Sequence, residues 1–174
     1  MVKRQIIISD ANVFIDLLQV GLLEAFFALT FSDCEIWTTD FVYREVKNVG
    51  KVHVLEKFKK NGKLKVASFN STELGEIIGL KNSSANNTSI ADASVWYYAK
   101  KTDGILLTGD KKLRKEATKD GIRVFGIIFV WERMLECGIV SSKEAADNLE
   151  ALIGENPRLP KQICEQRISA WRSA

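Results

Sequence analysis

The chain has 174 residues, enough for one domain with a sizeable core, and its 46% hydrophobic and 27% charged residues are ordinary globular composition. That excludes a disordered tail or a fibre, and no apolar stretch approaches the length of a membrane span. A net charge of +3 and a pI near 8.7 suit a polyanionic partner without requiring one. Cys34, Cys137 and Cys164 are scattered and odd in number, so neither a zinc knuckle nor a disulfide framework is expected. The Met-Val-Lys-Arg start is too short for a signal peptide. The expectation is a soluble cytoplasmic protein with no membrane partner.

Short apolar runs alternate with amphipathic stretches. Gln5–Ser9 reads as a buried strand, followed by helices over Ala11–Gln19 and Leu22–Ala28 and a strand over Glu35–Thr38. Asp40–Lys47 places Phe41, Val42, Glu45 and Val46 toward one helical face, and Val52–Lys60 is helical up to Asn61-Gly62. Lys63–Phe69 alternates as an outer strand, and Thr72–Leu80 is helical. Lys81–Asn87 is the clearest loop, with Asn87 or Thr88 able to cap a helix over Ser89–Lys101. A buried strand at Gly104–Leu107, a charged helix at Lys111–Lys119 and a strand at Ile122–Phe125 follow. Val130–Cys137, Lys143–Ile153 and Lys161–Trp171 close the chain as helices. Such alternation implies an α/β domain with a mostly parallel sheet covered on both faces, binding its ligands beyond the carboxyl ends of the strands.

The residues just past two of those ends are acids. Asp10 follows Ile6-Ile7-Ile8-Ser9, and Asp110 follows Ile105-Leu106-Leu107-Thr108-Gly109. Either alone serves equally well as a helix N-cap. Glu45 on an apolar helix face needs a basic partner, a metal or an outlet to solvent. Asp92, in the first turn of Ser89–Lys101, is also where the helix dipole favours an acid. Together, such acids are tolerable only with a hard cation, and oxygen ligands select Mg²⁺ or Mn²⁺. Asn12 and Thr108 stand where they can hold the carboxylates. Asp16 reads as a surface residue and Asp40 as the N-terminal acid of its helix. Trp96 and Trp131 read as core.

These segments resemble the PIN domains. Ile6-Ile7-Ile8-Ser9-Asp10-Ala11-Asn12-Val13, Phe41-Val42-Tyr43-Arg44-Glu45-Val46, Ser89-Ile90-Ala91-Asp92-Ala93 and Leu106-Leu107-Thr108-Gly109-Asp110-Lys111-Lys112-Leu113-Arg114 follow that family's order over roughly residues 4 to 130. Ala11 replaces a common Thr or Ser. The resemblance implies a three-layer α/β/α sandwich of about five strands, with a nuclease domain at 1–140 and a helical extension at 141–174 packed on it. It implies a VapC-like ribonuclease in which Asp10, Glu45, Asp92 and Asp110 hold Mg²⁺ or Mn²⁺ and cut RNA. Lys111, Lys112 and Arg114, with Lys115 beside them, would contact RNA phosphates. An antitoxin protein and a second copy of the chain are the partners such proteins commonly have. A non-catalytic PIN-like scaffold is the alternative. A haloacid-dehalogenase-like enzyme fits poorly, because Asn12 stands where its second aspartate belongs. No dinucleotide or P-loop glycine motif is present, and the lone His53 excludes paired-histidine zinc chemistry.

Overall fold

The computed structural model describes residues 4–48 and 52–174, so the Met1–Lys3 start and positions 49–51 lie outside the described residues. The elements are β1 (Gln5–Ser9), α1 (Ala11–Gln19), α2 (Leu23–Ala28), β2 (Cys34–Thr39), α3 (Asp40–Asn48), α4 (Val52–Lys60), β3 (Leu64–Ala67), α5 (Ser71–Ser83), α6 (Ile90–Thr102), β4 (Ile105–Leu107), α7 (Lys111–Lys119), β5 (Arg123–Phe125), α8 (Ile127–Glu136), α9 (Ser142–Glu155) and α10 (Lys161–Ser173). The five strands pair in parallel in the order β3-β2-β1-β4-β5. Ile7 sits at the centre, opposite Ile36 on one side and Ile105 on the other. Right-handed crossovers from β1 to β2 to β3 wind one way and those from β4 to β5 the other, which covers both faces and makes a three-layer α/β/α sandwich. The winding reverses between β1 and β4, the pair whose ends carry Asp10 and Asp110.

The strands bury because their residues are apolar on both faces: Ile7, Ile8, Leu106 and Leu107 are fully enclosed. On one side α6 crosses β1, β2 and β4, and its small Ala91, Ala93 and Ser94 let it approach closely. On the other side an aromatic cluster fixes α1. Phe27 stacks on Phe58 at 4.0 Å and on Phe14 at 6.1 Å, with Phe26 tilted against it at 5.4 Å. Beyond α8, the helices α9 and α10 pack mainly on each other through Leu149, Leu152, Cys164 and Ile168. Arg172 of α10 clamps Glu150 and Asp147 of α9 at 2.7 and 3.2 Å.

Several boundaries differ from the sequence reading. Lys81–Ser83 is the last turn of α5, not loop, because a capping box between Asn70 and Glu73 starts a helix that runs until the Ser84 amide closes on Leu80. Ser89, not Asn87 or Thr88, caps α6; Asn87 instead takes a left-handed turn with φ of 52°. α8 begins at Ile127, three residues before the expected start, with Gly126 as its N-cap residue.

Phe27→Ala empties the centre of the aromatic cluster without touching an acid. It is expected to cost about 3–5 kcal/mol in urea denaturation. A loss below about 1 kcal/mol would mean that α1 is held in place by something else.

Candidate active site

Asp10 is the deepest of the four acids, at 4% exposure. Its Oδ1 accepts the Ala11 amide at 2.7 Å as the cap of α1, so the capping role foreseen for it is real. Its Oδ2 accepts the Thr108 hydroxyl at 2.8 Å and the Asn12 amide group at 3.1 Å. The Asn12 oxygen in turn accepts the Gly109 amide at 3.0 Å, which joins α1 to the turn after β4. Thr108 works in both directions: while donating to Asp10, its Oγ1 accepts the Asp110 amide at 3.0 Å. Asp110 therefore stands one hydroxyl away from Asp10. Its own Oδ1 caps α7, accepting the Lys112 and Leu113 amides at 2.7 and 2.9 Å.

A second chain of hydroxyls places the other two acids. The Val42 amide donates to Thr39 Oγ1 at 3.3 Å, Thr39 shares a hydrogen with Ser94 at 2.7 Å, and Ser94 donates to the Ala91 carbonyl at 2.6 Å. All of these groups are buried, so the end of β2, the first turn of α3 and the first turn of α6 are locked to one another. Thr38, next to Thr39, donates to the Ser9 carbonyl at 2.8 Å and ties the same corner to β1. Asp92 closes a capping box with Ser89, its Oδ2 accepting the Ser89 amide at 3.1 Å while its own amide donates to the Ser89 hydroxyl at 3.0 Å.

Electrostatics shows which acids are neighbours. Burial first, then the charges of Asp92 and Glu45, raise the Asp10 carboxyl from 3.8 to about 7 in all, against the lowering by Thr108 and Ala11. The Glu45 carboxyl is also raised, by burial and by Asp92. Thus Asp10, Asp92 and Glu45 feel one another across the end of the sheet, whereas Asp110 is tied to Asp10 only by its backbone amide, through Thr108. Of the three ways for Glu45 to be satisfied, the structure shows the outlet to solvent: the residue is exposed. Val42 and Val46 form the buried stripe of α3, and Glu45 lies on its flank, where the carboxylate reaches solvent at the mouth.

No cationic side chain is among the interactions that set Asp10, so within the described residues only hydrogen bonds offset its charge. A divalent cation fits that demand, since the acids around Asp10 offer only carboxylate oxygens. As they stand, however, no three Asp, Glu, His or Cys side chains among the described residues are gathered closely enough to hold one ion.

Around the rim, Lys111, Lys112 and Lys115 are exposed on α7. Arg114 is half-buried, donating to the Thr108 carbonyl at 3.2 Å, and burial lowers its pKa. Trp96 and Trp131 are core. Asp40 opens α3 and pairs with Arg44 at 3.3 Å. Asp16 is not a plain surface residue: it accepts both hydrogen bonds of the Asn156 amide group at 2.9 and 3.1 Å, from the far end of the chain. The sequence signals the Thr39–Ser94 link only by a pair of hydroxyl residues ending β2.

A family model for PIN domains matches residues 6–173. Among solved structures, the protein PAE2754 from Pyrobaculum aerophilum is similar at 14% identity with a TM-score of 0.57, covering 76% of this chain and 98% of that one. A PilT N-terminus domain protein from the archaeon Sulfolobus solfataricus P2 gives 13% and 0.53, covering 76% and 95%. A chain of VapBC-1 from nontypeable Haemophilus influenzae gives 13% and 0.52, covering 71% and 99%. At these identities the likeness is one of fold. No curated protein matches the chain in sequence.

In metal-free protein the native state keeps a proton on Asp10 up to about pH 7, whereas the unfolded chain loses it near 3.8. The native state then binds more protons, so stability falls as pH rises through that window. Asp10→Asn does not titrate, so its stability relative to the wild type in EDTA is expected to rise between about pH 4 and about pH 8, by at most about 4 kcal/mol. Chemical denaturation at the two ends of the window measures it. A difference that stays constant with pH would show that Asp10 is ionised throughout.

Proposed function

We propose that this chain, which belongs to the PIN-domain family, is a metal-dependent endoribonuclease that hydrolyses RNA phosphodiester bonds. The observation that carries the reading is the Asp10 carboxylate, offset only by hydrogen bonds, beside Asp92 and Glu45 at the switch point of a parallel sheet. Asp10 and Asp92 would hold Mg²⁺ or Mn²⁺, with Asp110 and Glu45 contributing directly or through water. The cation supplies Lewis acidity toward the phosphate and neutralises the acids around it.

The chain's own groups do the positioning. Thr108, Asn12 and the Ala11 amide fix both oxygens of Asp10, so the carboxylate is oriented before anything binds. Ser89 fixes one oxygen of Asp92 and leaves the other free. Glu45, raised and solvent-facing, is placed to take a proton from water at the mouth. Lys111, Lys112 and Arg114 lie along the rim for the RNA backbone. In this reading residues 1–140 make the nuclease unit and 141–174 a helical extension. An antitoxin is a further proposed partner, by analogy with the VapBC-1 relative. A homodimer is proposed on family grounds alone. No helix among the described residues is long and apolar enough to cross a membrane.

One observation favours a second reading, a non-catalytic scaffold that binds RNA or protein: the acids do not converge on a common point as they stand. Incubation of single-stranded RNA with the protein separates the two. The nuclease reading expects cleavage with Mn²⁺ and none with EDTA; a scaffold binds under both conditions and cuts under neither. Asp10→Asn is expected to lower cleavage by more than the roughly 10–100-fold typical of losing a supporting contact, with an unchanged circular dichroism spectrum. Undiminished cleavage by that variant would remove Asp10 from the metal site.

A further inference from the structure

Beside the acids lies a cleft of about 570 Å³ that the nuclease reading does not use. It falls within the roughly 300–1,000 Å³ range of small-ligand sites. Its walls come from α1, the start of α7, the start of α8, and the 155–163 stretch that joins α9 to α10. Ile127, Ile128, Leu159 and Ile163 make much of its surface apolar, and Ile163 is half exposed there.

Three features indicate what it holds. First, it is continuous with the acid site. Asn12 and Gly109 line the cleft, while Asn12 also donates to Asp10. An occupant is therefore one side chain away from the reacting end. Second, its charges are unequally spent. The two acids on the wall are already engaged, Asp16 by Asn156 and Glu155 by Gln19 at 3.2 Å. Among the described residues, Lys111 makes no ion pair and Arg114 donates only to a backbone carbonyl, while Arg158 lies within the field of Asp16 and draws its pKa down against burial. What remains on offer is positive charge. Third, the wall from the chain's end is anchored: the Asn156–Asp16 and Gln19–Glu155 bonds pin it to α1, so the cleft is preformed.

An apolar slot edged by three cations against two acids, both acids already hydrogen-bonded within the wall, suits a flat ring that carries a phosphate. We propose that the cleft seats a nucleotide of the RNA next to the bond that is cut, with its base between the isoleucines and its phosphate on the Lys111, Arg114 and Arg158 side. The 155–163 stretch then selects substrate. This rests on the nuclease reading for the words "next to the bond that is cut", but the seat itself is testable without cleavage.

The test is fluorescence anisotropy of the full chain with a labelled single-stranded RNA hexamer in EDTA. Ile163→Trp fills the slot from an exposed position and is expected to weaken binding ~10-fold or more. Arg158→Glu is expected to weaken it by a similar factor and to flatten its salt dependence by more than one phosphate's worth. Both variants should keep the wild type's circular dichroism spectrum and urea midpoint, so that lost affinity is read as loss of the seat and not of the fold. Wild-type RNA affinity in both variants, or no RNA binding by the wild type, overturns the seat; a protein segment would then be the cleft's occupant. Cleft-dependent RNA binding by a wild type that cuts no RNA with Mn²⁺ supports the seat and overturns the nuclease reading instead.

Discussion

A carboxylate enclosed at the centre of the sheet with no basic partner is the constraint on which the rest of this structure depends. Asp10 is fully surrounded and lies within the field of Asp92 and Glu45, so burial and like charge act on it in the same sense. Its three hydrogen bonds lower the cost without removing it. Leaving a buried acid in that state has a stability penalty that an asparagine would avoid. A cation that binds only the native state would offset the penalty by mass action.

The scaffold places this strain by modest means. Three of the four acids also do a structural job: Asp10 and Asp110 cap helices, and Asp92 completes a capping box. Capping is what orients the carboxylates, because a side chain that must reach a backbone amide has few rotamers left. Two short hydroxyl relays, through Thr108 and through Thr39 and Ser94, then set the distances between helices that are far apart in sequence. A structural aspartate is therefore not excluded from the proposed function, since the capping contacts fix the carboxylates that the nuclease reading uses.

Legibility in sequence followed locality. β1 and α1 have the bounds read from the Ile run and its break, and all five strands and the parallel winding follow from alternating patterns. The acids were visible because each stands next to a strongly patterned element. What escaped depends on contacts across the chain. Glu45 shares a helix with buried valines, yet only the position of α3 at the sheet's end decides that it faces out. Ser89 was passed over as cap because Asn87 and Thr88 are equally good capping residues locally. The α5 extension through Lys81–Ser83 ran against a polar composition that suggested loop. Asp16 looked superficial because its partner, Asn156, lies 140 residues away.

The chain's end deepens the acid site's surroundings by that same long-range contact. Asn156 and Glu155 fasten the 155–163 stretch to α1, and α1 begins at Asp10. The central claim remains that the acids share a cation. Anomalous scattering from a crystal grown with Mn²⁺ tests it most directly. The account predicts a peak bonded to oxygens of Asp10 and Asp92, with Asp110 or Glu45 in reach of the ion or its waters. A protein that takes up no Mn²⁺ at saturating concentration, or holds it away from Asp10, would contradict it.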